Sequence, residues 1–265
     1  MFRCYRLSCK DPSLQKLLSG KKPKVITPNI PTYLNHYLRK GGIFDGEIVE
    51  DDFFPNDMKF DVFISHFHKD HRTAEKLALY LEENLGLKVF LDFQYWGCYT
   101  ELLSEIDEEY NASENYFFHR FPKGQLLNYE KCTFSSSVMH LMLAVALAKM
   151  IQNTGCVFFL HSEQDRVTNN YGKRLDEIEL GSPWVYYELW IAELFCKMEK
   201  TRIVEATNES FQPRLKAPIE NMPVLTGDYI NMWHRAWKDQ EKECFFCGLT
   251  ALDVLYEMNG TSRRG

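Results

Sequence analysis

Short apolar runs alternate with segments of helical periodicity from residue 60 to about residue 206. Four short runs in this stretch are rich in apolar and β-branched residues, which is typical of strands buried on both faces of a parallel sheet. These predicted strands lie at 60–65, 87–92, 156–161 and 201–206, and a fifth strand is predicted at 222–228.

The segments between these runs have a helical period instead. In residues 72–86, five apolar side chains share one helical face and Gly86 is placed to end the helix. Three further helices are predicted at 100–110, 137–155 and 182–200. The last of them begins with Ser182 as N-cap and Pro183 in its first position. The aromatic stretch FQYWGCY (93–99) is predicted to be a loop.

Strands that alternate with helices at this spacing predict an α/β fold, a parallel sheet with helices on both faces. Ligands of such folds bind at the edge where the parallel strands end, called here the carboxyl edge. The loops expected at this edge contain SHFHKDH (65–71), LDFQYWG (91–97) and LHSEQDRV (160–167).

The chain outside this alternation divides into less regular parts. Residues 1–58 form a predicted N-terminal extension with a short helix within 31–42, and 59–240 form the main domain. An irregular insertion is predicted at about 111–136, between the second and third strands. Residues 241–265 are predicted to be a C-terminal helical segment and tail.

Composition excludes several classes of partner. The 265 residues have a net charge of −6 with scattered Lys and Arg, so no nucleic-acid partner is expected. The first residues lack the apolar run of a signal peptide, and the most apolar stretch, 138–151, is shorter than the roughly 18–20 residues of a membrane span. A cytoplasmic protein without a membrane partner is therefore expected, and its eight cysteines are expected to be reduced.

Two motifs raise the possibility of a metal site. The loop SHFHKDH has the spacing of a metallo-β-lactamase-type zinc hydrolase, in which later loops would add His161 and Asp228. Its four candidate ligands are His66, His68, Asp70 and His71. The long helix and the successive strand–helix units after the loop disagree with that fold, so no metal is predicted and the hydrolase remains the weaker alternative.

The second motif is the pair Cys244 and Cys247, spaced as C-x-x-C. The pair is either half of a zinc site, with Cys4 and Cys9 as the other half, or two semi-buried thiols beside an aromatic pair. The sequence leaves both interpretations open.

The predicted helix 182–200 has a carboxylate among large apolar side chains. Glu188 follows Trp184 by four residues and precedes Ile191 and Phe195 on the same stripe. A glutamate in such a stripe costs free energy unless it is paired, protonated or facing a cleft. Glu188 therefore either forms a buried ion pair, with Lys69 or Arg72 as the candidate partner, or belongs to a functional site.

Two other side chains of this helix complete the pattern. Tyr187 and Leu194 are expected to widen the apolar stripe. Glu193 lies one residue away from the stripe and is expected to be an ordinary solvated glutamate.

Two blocks of the sequence resemble a bacterial Toll/interleukin-1 receptor (TIR) domain. The first is FDVFISHFHKDHRTAEKLALYLEENLGLKVFLD (60–92), followed by a tryptophan–glycine loop, and the second is SPWVYYELWIAELF (182–195). The resemblance covers roughly 60–206. It implies a flavodoxin-like fold with a five-stranded parallel sheet, and it aligns Glu188 with the catalytic glutamate of NAD-cleaving TIR domains.

The resemblance also implies a reaction and a setting. Many bacterial members act in anti-phage defence, including Thoeris systems, in which a TIR protein converts NAD+ into a nucleotide signal for a separate effector. Here Glu188 would stabilise the oxocarbenium-like transition state as the nicotinamide–ribose bond breaks. No G-x-G-x-x-G follows a strand, so NAD+ is expected as substrate and no bound cofactor is expected.

The resemblance and the carboxyl edge together suggest a substrate site around Glu188. Ser65 is expected to hydrogen-bond a ribose or a phosphate, and aromatic and cationic side chains are expected to stack on the bases or close over them. These substrate-binding candidates are Ser65, Phe67, Lys69, Phe93, Trp96, Trp184 and Tyr187.

A different class of function stays open beside the enzyme. Many TIR domains only assemble with other TIR domains, so the chain is either an NAD-cleaving enzyme or a non-catalytic scaffold. A homo-oligomer formed through TIR–TIR contacts is expected in both cases. The product, whether ADP-ribose, a cyclic isomer or a conjugate, does not follow from the residues.

Overall fold

A computed structural model describes nine stretches of the chain. They are residues 3–22, 30–31, 33–40, 43–53, 59–111, 128–162, 182–198, 222–241 and 250–259. The chain divides into two compact units. The first unit comprises Met1–Val25, Lys59–Leu91 and Ile151–Gly265, and the second comprises Ile26–Met58 and Asp92–Met150.

The described residues contain strands and helices in both units. The strands are β1 (Arg3–Ser8), β2 (Leu38–Arg39), β3 (Ile43–Phe44), β4 (Val62–His66), β5 (Val89–Phe90) and β6 (Cys156–His161). The helices are α1 (Pro12–Leu17), α2 (Gly46–Phe53), α3 (His71–Leu85), α4 (Phe93–Tyr110), α5 (Tyr129–Asn153), α6 (Pro183–Met198), α7 (Gly227–Glu241) and α8 (Ala251–Met258). Short 3₁₀ helices lie at Leu34–Tyr37 and His68–Asp70.

The first unit is built on a four-stranded sheet in the order β1-β6-β4-β5, with every pair parallel. The predicted α/β class with a parallel sheet is therefore confirmed. Beside β1, Val224 forms a single parallel bridge to Arg6, and α7 begins three residues later. The predicted strand at 222–228 is thus reduced to this bridge, and the one predicted at 201–206 lies outside the described residues.

The central strands form where the sequence is continuously apolar. All five residues of β4 and the first five of β6 are buried, as expected for strands covered on both faces. Strand β6 has its predicted bounds of 156–161. Strand β4 starts two residues later and ends one residue later than the predicted 60–65. The prediction succeeds because these runs are short, apolar and bounded by polar residues.

Strand β1 belongs to the stretch that the sequence assigned to an N-terminal extension. Cys4, Tyr5 and Leu7 are buried, and β1 pairs with β6 over its full length. Residues 1–58 are therefore not a separate extension, because Arg3–Ser8 completes the sheet of the first unit. Two arginines interrupt the apolar pattern of RCYRLS, so the run does not stand out as a central strand.

Helix α3 agrees with its prediction in both its face and its end. Ala74, Leu77 and Leu81 are fully buried, and Gly86 ends the helix in a left-handed conformation with φ of 65°. Glycine adopts this conformation without the steric cost that a Cβ would add.

Helix α4 corrects the prediction of a loop at 93–99, because the helix begins at Phe93. Tyr99, Leu102 and Ile106 are buried at helical spacing within the second unit. Burial of this face stabilises the helix. The aromatic residues and Gly97 that precede Tyr99 are weak helix formers, so the sequence alone does not indicate a helix there.

The sheet of the first unit is covered on both faces. Ser65 and Phe159 are register partners on one face, which α6 covers through contacts with β4 and β1. On the other face, Phe158 packs edge-to-face against Trp233 of α7, and the Trp233 indole donates to the Ala251 carbonyl at the start of α8. Helix α8 agrees with the helical segment predicted within 241–265, and its residues Ala251–Tyr256 are buried in the core.

Helix α5 dominates the second unit and is longer than predicted. It begins at Tyr129, so the end of the predicted irregular insertion at 111–136 is helical, and residues 112–127 lie outside the described residues. At 25 residues it is long and apolar enough to cross a membrane by length and composition alone. A third of its most apolar window is buried within the protein (33%), including Met139, Leu143 and Leu147.

The first unit is tied together where α1 meets α7. The Asp11 carboxylate accepts a hydrogen bond from the Gly227 backbone N–H at 2.7 Å, and Ser13 Oγ accepts one from Asp228 N–H at 3.1 Å. The N-terminal segment therefore satisfies the first amide groups of α7, which have no partner within the helix. The approach is so close that a Cβ on Gly227 would lie 2.2 Å from the Leu14 nitrogen.

Gly227→Ala should therefore destabilise the protein, because its Cβ meets backbone atoms that cannot rotate away. We expect the free energy of unfolding to fall by about 1–3 kcal/mol or more, as in other overpacked sites. Chemical denaturation of both proteins measures the difference. Asp228→Ala, at the next and exposed position, is the control and should cost less than about 1 kcal/mol.

Asp11→Asn should destabilise the protein near neutral pH and not in acid. Burial raises the pKa of Asp11, but the hydrogen bonds from Gly227 and Ser13 outweigh it and hold the pKa below the usual 3.8. The ionised form is therefore favoured in the folded state, and its contribution is lost as pH falls through the lowered pKa. Since Asp11 is partly solvated, we expect a difference of about 1 kcal/mol at pH 7 that narrows below pH 4, measured by urea denaturation. A pH-independent difference would contradict this assignment.

Candidate functional site

Glu188 and Ser65 meet at the carboxyl edge of the sheet. Ser65 Oγ donates a hydrogen bond of 2.6 Å to Glu188 Oε2, although 123 residues separate them in the sequence. Both residues are fully buried, with 0% of their surface exposed. Two residues selected independently from the sequence are thus in direct contact.

Local structure explains how each side chain reaches this position. Ser65 is the fourth residue of β4, on the sheet face that α6 covers. Glu188 is in the second turn of α6, which starts at Pro183 after Ser182, and Ser182 Oγ accepts a hydrogen bond from the Val185 N–H at 3.4 Å. The predicted cap residues thus begin the helix where Glu188 faces the end of β4.

The buried face of α6 differs from the predicted stripe. Its buried residues are Val185, Glu188, Leu189, Ala192 and Glu193. The expectation that Glu193 is solvated is wrong, since only 8% of it is exposed, whereas Leu194 is 50% exposed. The helix is turned so that its smaller apolar residues face the sheet and several larger ones are only partly covered.

The loop after β4 places two more of the predicted residues together. Phe67 is buried and packs against Phe159 with ring centroids 6.1 Å apart, and the Lys69 ammonium lies 5.5 Å from the Phe67 ring. Phe67 is therefore a packing residue of the loop, and the exposed Lys69 forms a cation–π contact on its outer side.

The aromatic candidates on α6 are only half buried. Trp184 and Tyr187 are in edge-to-face contact, with centroids 6.5 Å apart. Burial raises the pKa of Tyr187, so its hydroxyl stays protonated and can donate a hydrogen bond at neutral pH. Phe93 and Trp96 belong to the second unit, and the Trp96 side chain lies outside what the structure describes.

Of the three histidines in the first loop, His68 and His71 stack with ring centroids 5.6 Å apart, whereas His66 is buried. His66 is buried with Nδ1 3.1 Å from the Ile64 carbonyl oxygen, whereas His68 is exposed. His71 Nδ1 lies 2.7 Å from the His68 carbonyl oxygen. Within the described stretches of the chain, no three His, Cys, Asp or Glu side chains are grouped to hold a metal ion. The pair Cys244 and Cys247 lies outside those stretches.

One contact at this helix was not predicted from the sequence. The sulfur atoms of Cys4 on β1 and Cys196 on α6 lie 3.0 Å apart. The cysteines are 192 residues apart in the sequence. The sequence suggests a role for Cys4 only as a zinc ligand, and no local pattern links it to Cys196.

Comparison of the chain with protein-family models, with curated proteins and with solved structures finds no match. The functional interpretation of this site therefore depends on its geometry and on the sequence motifs.

The contact between Ser65 and Glu188 should be measurable as a coupling energy. Ser65→Ala, Glu188→Leu and the double variant form a double-mutant cycle, in which leucine removes the acceptor oxygens that glutamine would keep. Denaturant titration gives the free energy of unfolding of each protein. A buried hydrogen bond to a carboxylate predicts a coupling of about 1–2 kcal/mol. Additive effects of the two substitutions would show that the contact contributes nothing specific to stability.

Proposed function

We propose that this protein is a TIR-domain enzyme of flavodoxin-like fold that cleaves the nicotinamide–ribose bond of NAD+. The observation that carries the proposal is the buried hydrogen bond between Ser65 and Glu188 at the carboxyl edge of the parallel sheet. Ligands of doubly wound α/β folds bind at this edge. A carboxylate held there without contact to water is unusual for a purely structural role, because its desolvation costs free energy.

The chemistry requires little more than one oriented carboxylate. When the bond between C1′ of the ribose and the pyridinium nitrogen breaks, the electron pair goes to nicotinamide, which leaves as a neutral molecule. No general acid is needed for this step. Positive charge develops on the ribose, and a nearby carboxylate in surroundings of low dielectric stabilises it.

Ser65 would act as a positioning residue in this reaction. Its hydroxyl holds one oxygen of the Glu188 carboxylate, which fixes the orientation of the group relative to the helix and the strand. Trp184 and the protonated Tyr187, on the same helix, would contact the ribose and the nicotinamide. Phe67 and Lys69, which lie in the same unit as Glu188, remain candidates for contacts with the rest of NAD+.

The burial of Glu188 adds a requirement for catalysis. Since none of its surface is exposed, NAD+ can reach the carboxylate only after the side chains that cover it have moved. A protein that is inactive until it is triggered, and that then makes an ADP-ribose-derived signal for a separate effector in cytoplasmic anti-phage defence, fits this requirement.

The same burial favours a second candidate function, a non-catalytic TIR scaffold that acts by assembly. A scaffold needs a contact surface, and α5 exposes Phe134, Leu141 and Val145 by 72%, 68% and 46% on one side of the helix. In this case the Ser65–Glu188 contact would only stabilise the packing of α6 on the sheet.

Glu188→Gln distinguishes the two functions. It keeps the size of the side chain and removes its charge, so nicotinamide release from NAD+ should fall by at least about 100-fold relative to wild type. Glu193→Gln is the matched control, because Glu193 is also buried on α6. It should keep activity close to that of wild type.

Size-exclusion chromatography first separates the monomeric protein from assembled protein. Each fraction is then incubated with NAD+, and the released nicotinamide is measured by chromatography. Release by wild type that is lost only in Glu188→Gln supports the enzyme and identifies the carboxylate. Absence of release in every fraction would favour the scaffold, and activity that survives Glu188→Gln would overturn the role of Glu188.

A further inference from the structure

The contact between Cys4 and Cys196 joins two elements that are distant in the sequence. Cys4 is on β1, and its register partner on β6 is Val157, so it lies on the same sheet face as Ser65 and Phe159. Cys196 is on α6, eight residues after Glu188. Since residues four and eight apart share a helix face, Glu188 and Cys196 both face this side of the sheet.

The two thiols differ in their access to solvent. Cys4 is buried, with 7% of its surface exposed, and Cys196 is half-buried. The hydrogen bond with Cys196 and burial both raise the pKa of the Cys4 thiol well above its usual value. Cys4 therefore stays protonated, and Cys196 is the sulfur that a small reagent in solution reaches first.

We propose that Cys4 and Cys196 form a reversible disulfide when the protein reacts with hydrogen peroxide, and that this disulfide locks α6 onto β1. The sulfur atoms lie 3.0 Å apart in the reduced protein. A disulfide has about 2.05 Å between its sulfur atoms, so the two sulfurs would have to approach each other by roughly 1 Å.

The reaction balances with one peroxide for each pair of thiols. The Cys196 sulfur attacks one peroxide oxygen, the O–O bond breaks, and a sulfenic acid and one water form. The Cys4 sulfur then attacks the Cys196 sulfur and displaces the hydroxyl, which leaves as a second water with the Cys4 proton. Two thiols are oxidised by two electrons, and the peroxide is reduced to water.

The disulfide would have a large effect because of where it lies. It would close a loop between residues 192 positions apart, which restricts the unfolded chain strongly. It would also hold α6 at a second point, two turns from the contact between Ser65 and Glu188. A cytoplasmic protein would form it only transiently, as redox-sensing cysteines do.

The experiment treats the full-length protein with a small excess of hydrogen peroxide and maps its peptides by mass spectrometry without reduction. We expect a peptide pair joined through Cys4 and Cys196, with a mass lower by two hydrogens, that dithiothreitol separates. Oxidation should also raise Tm by about 5–10 °C, which dithiothreitol reverses.

Variants show whether this pair causes the effect. Cys196→Ala should abolish the linked peptide and the rise in Tm, and since Cys196 is half-buried this variant should fold. Cys98→Ser, which changes a half-buried thiol of the second unit, should leave both unchanged. Disulfides elsewhere only, or oxidation of Cys196 to sulfinic acid without linkage to Cys4, would overturn the proposal, as would a Tm rise that persists in Cys196→Ala.

Discussion

The first unit depends on the way α6 packs on the sheet with a carboxylate in the contact. Burial of the apolar side chains of α6 against β1 and β4 drives this packing, but it places Glu188 away from water. The Ser65 hydroxyl offsets part of that cost with a hydrogen bond of 2.6 Å. Any shift of α6 along β4 would break this bond, so one polar contact sets the register of helix and sheet.

The same contact connects stability to the proposed chemistry. A carboxylate in a site of low dielectric interacts more strongly with a developing positive charge than one in water. The burial of Glu188 that strengthens this interaction also keeps substrate away from the carboxylate. The side chains that cover Glu188 must therefore move aside for NAD+ to enter and close again for the reaction. The Cys4–Cys196 pair connects this helix to β1, so a covalent link between the two sulfur atoms would limit such movement.

Local patterns in the sequence account for much of the fold. The sequence predicts β4, β6, α3 and the start of α6, because each has an uninterrupted apolar run, a regular helical face or a clear cap. It does not predict β1, whose arginines interrupt the apolar pattern, or the first turns of α4, whose aromatic residues and glycine are weak helix formers. Within the site, the sequence indicates Glu188 and Ser65 from their positions. It is wrong about Glu193, because the stripe of large apolar side chains on α6 is not the face of the helix that is buried against the sheet.

By itself, the sequence determined the α/β class, a parallel sheet of buried strands and a carboxylate on an apolar helix face, since these features depend on local periodicity. Only the tertiary structure decided which partners meet across long separations. It placed β1 beside β6, Asp11 at the start of α7, Ser65 against Glu188 and Cys4 against Cys196. Such contacts leave no local pattern, because they arise from how whole elements pack to bury their apolar faces.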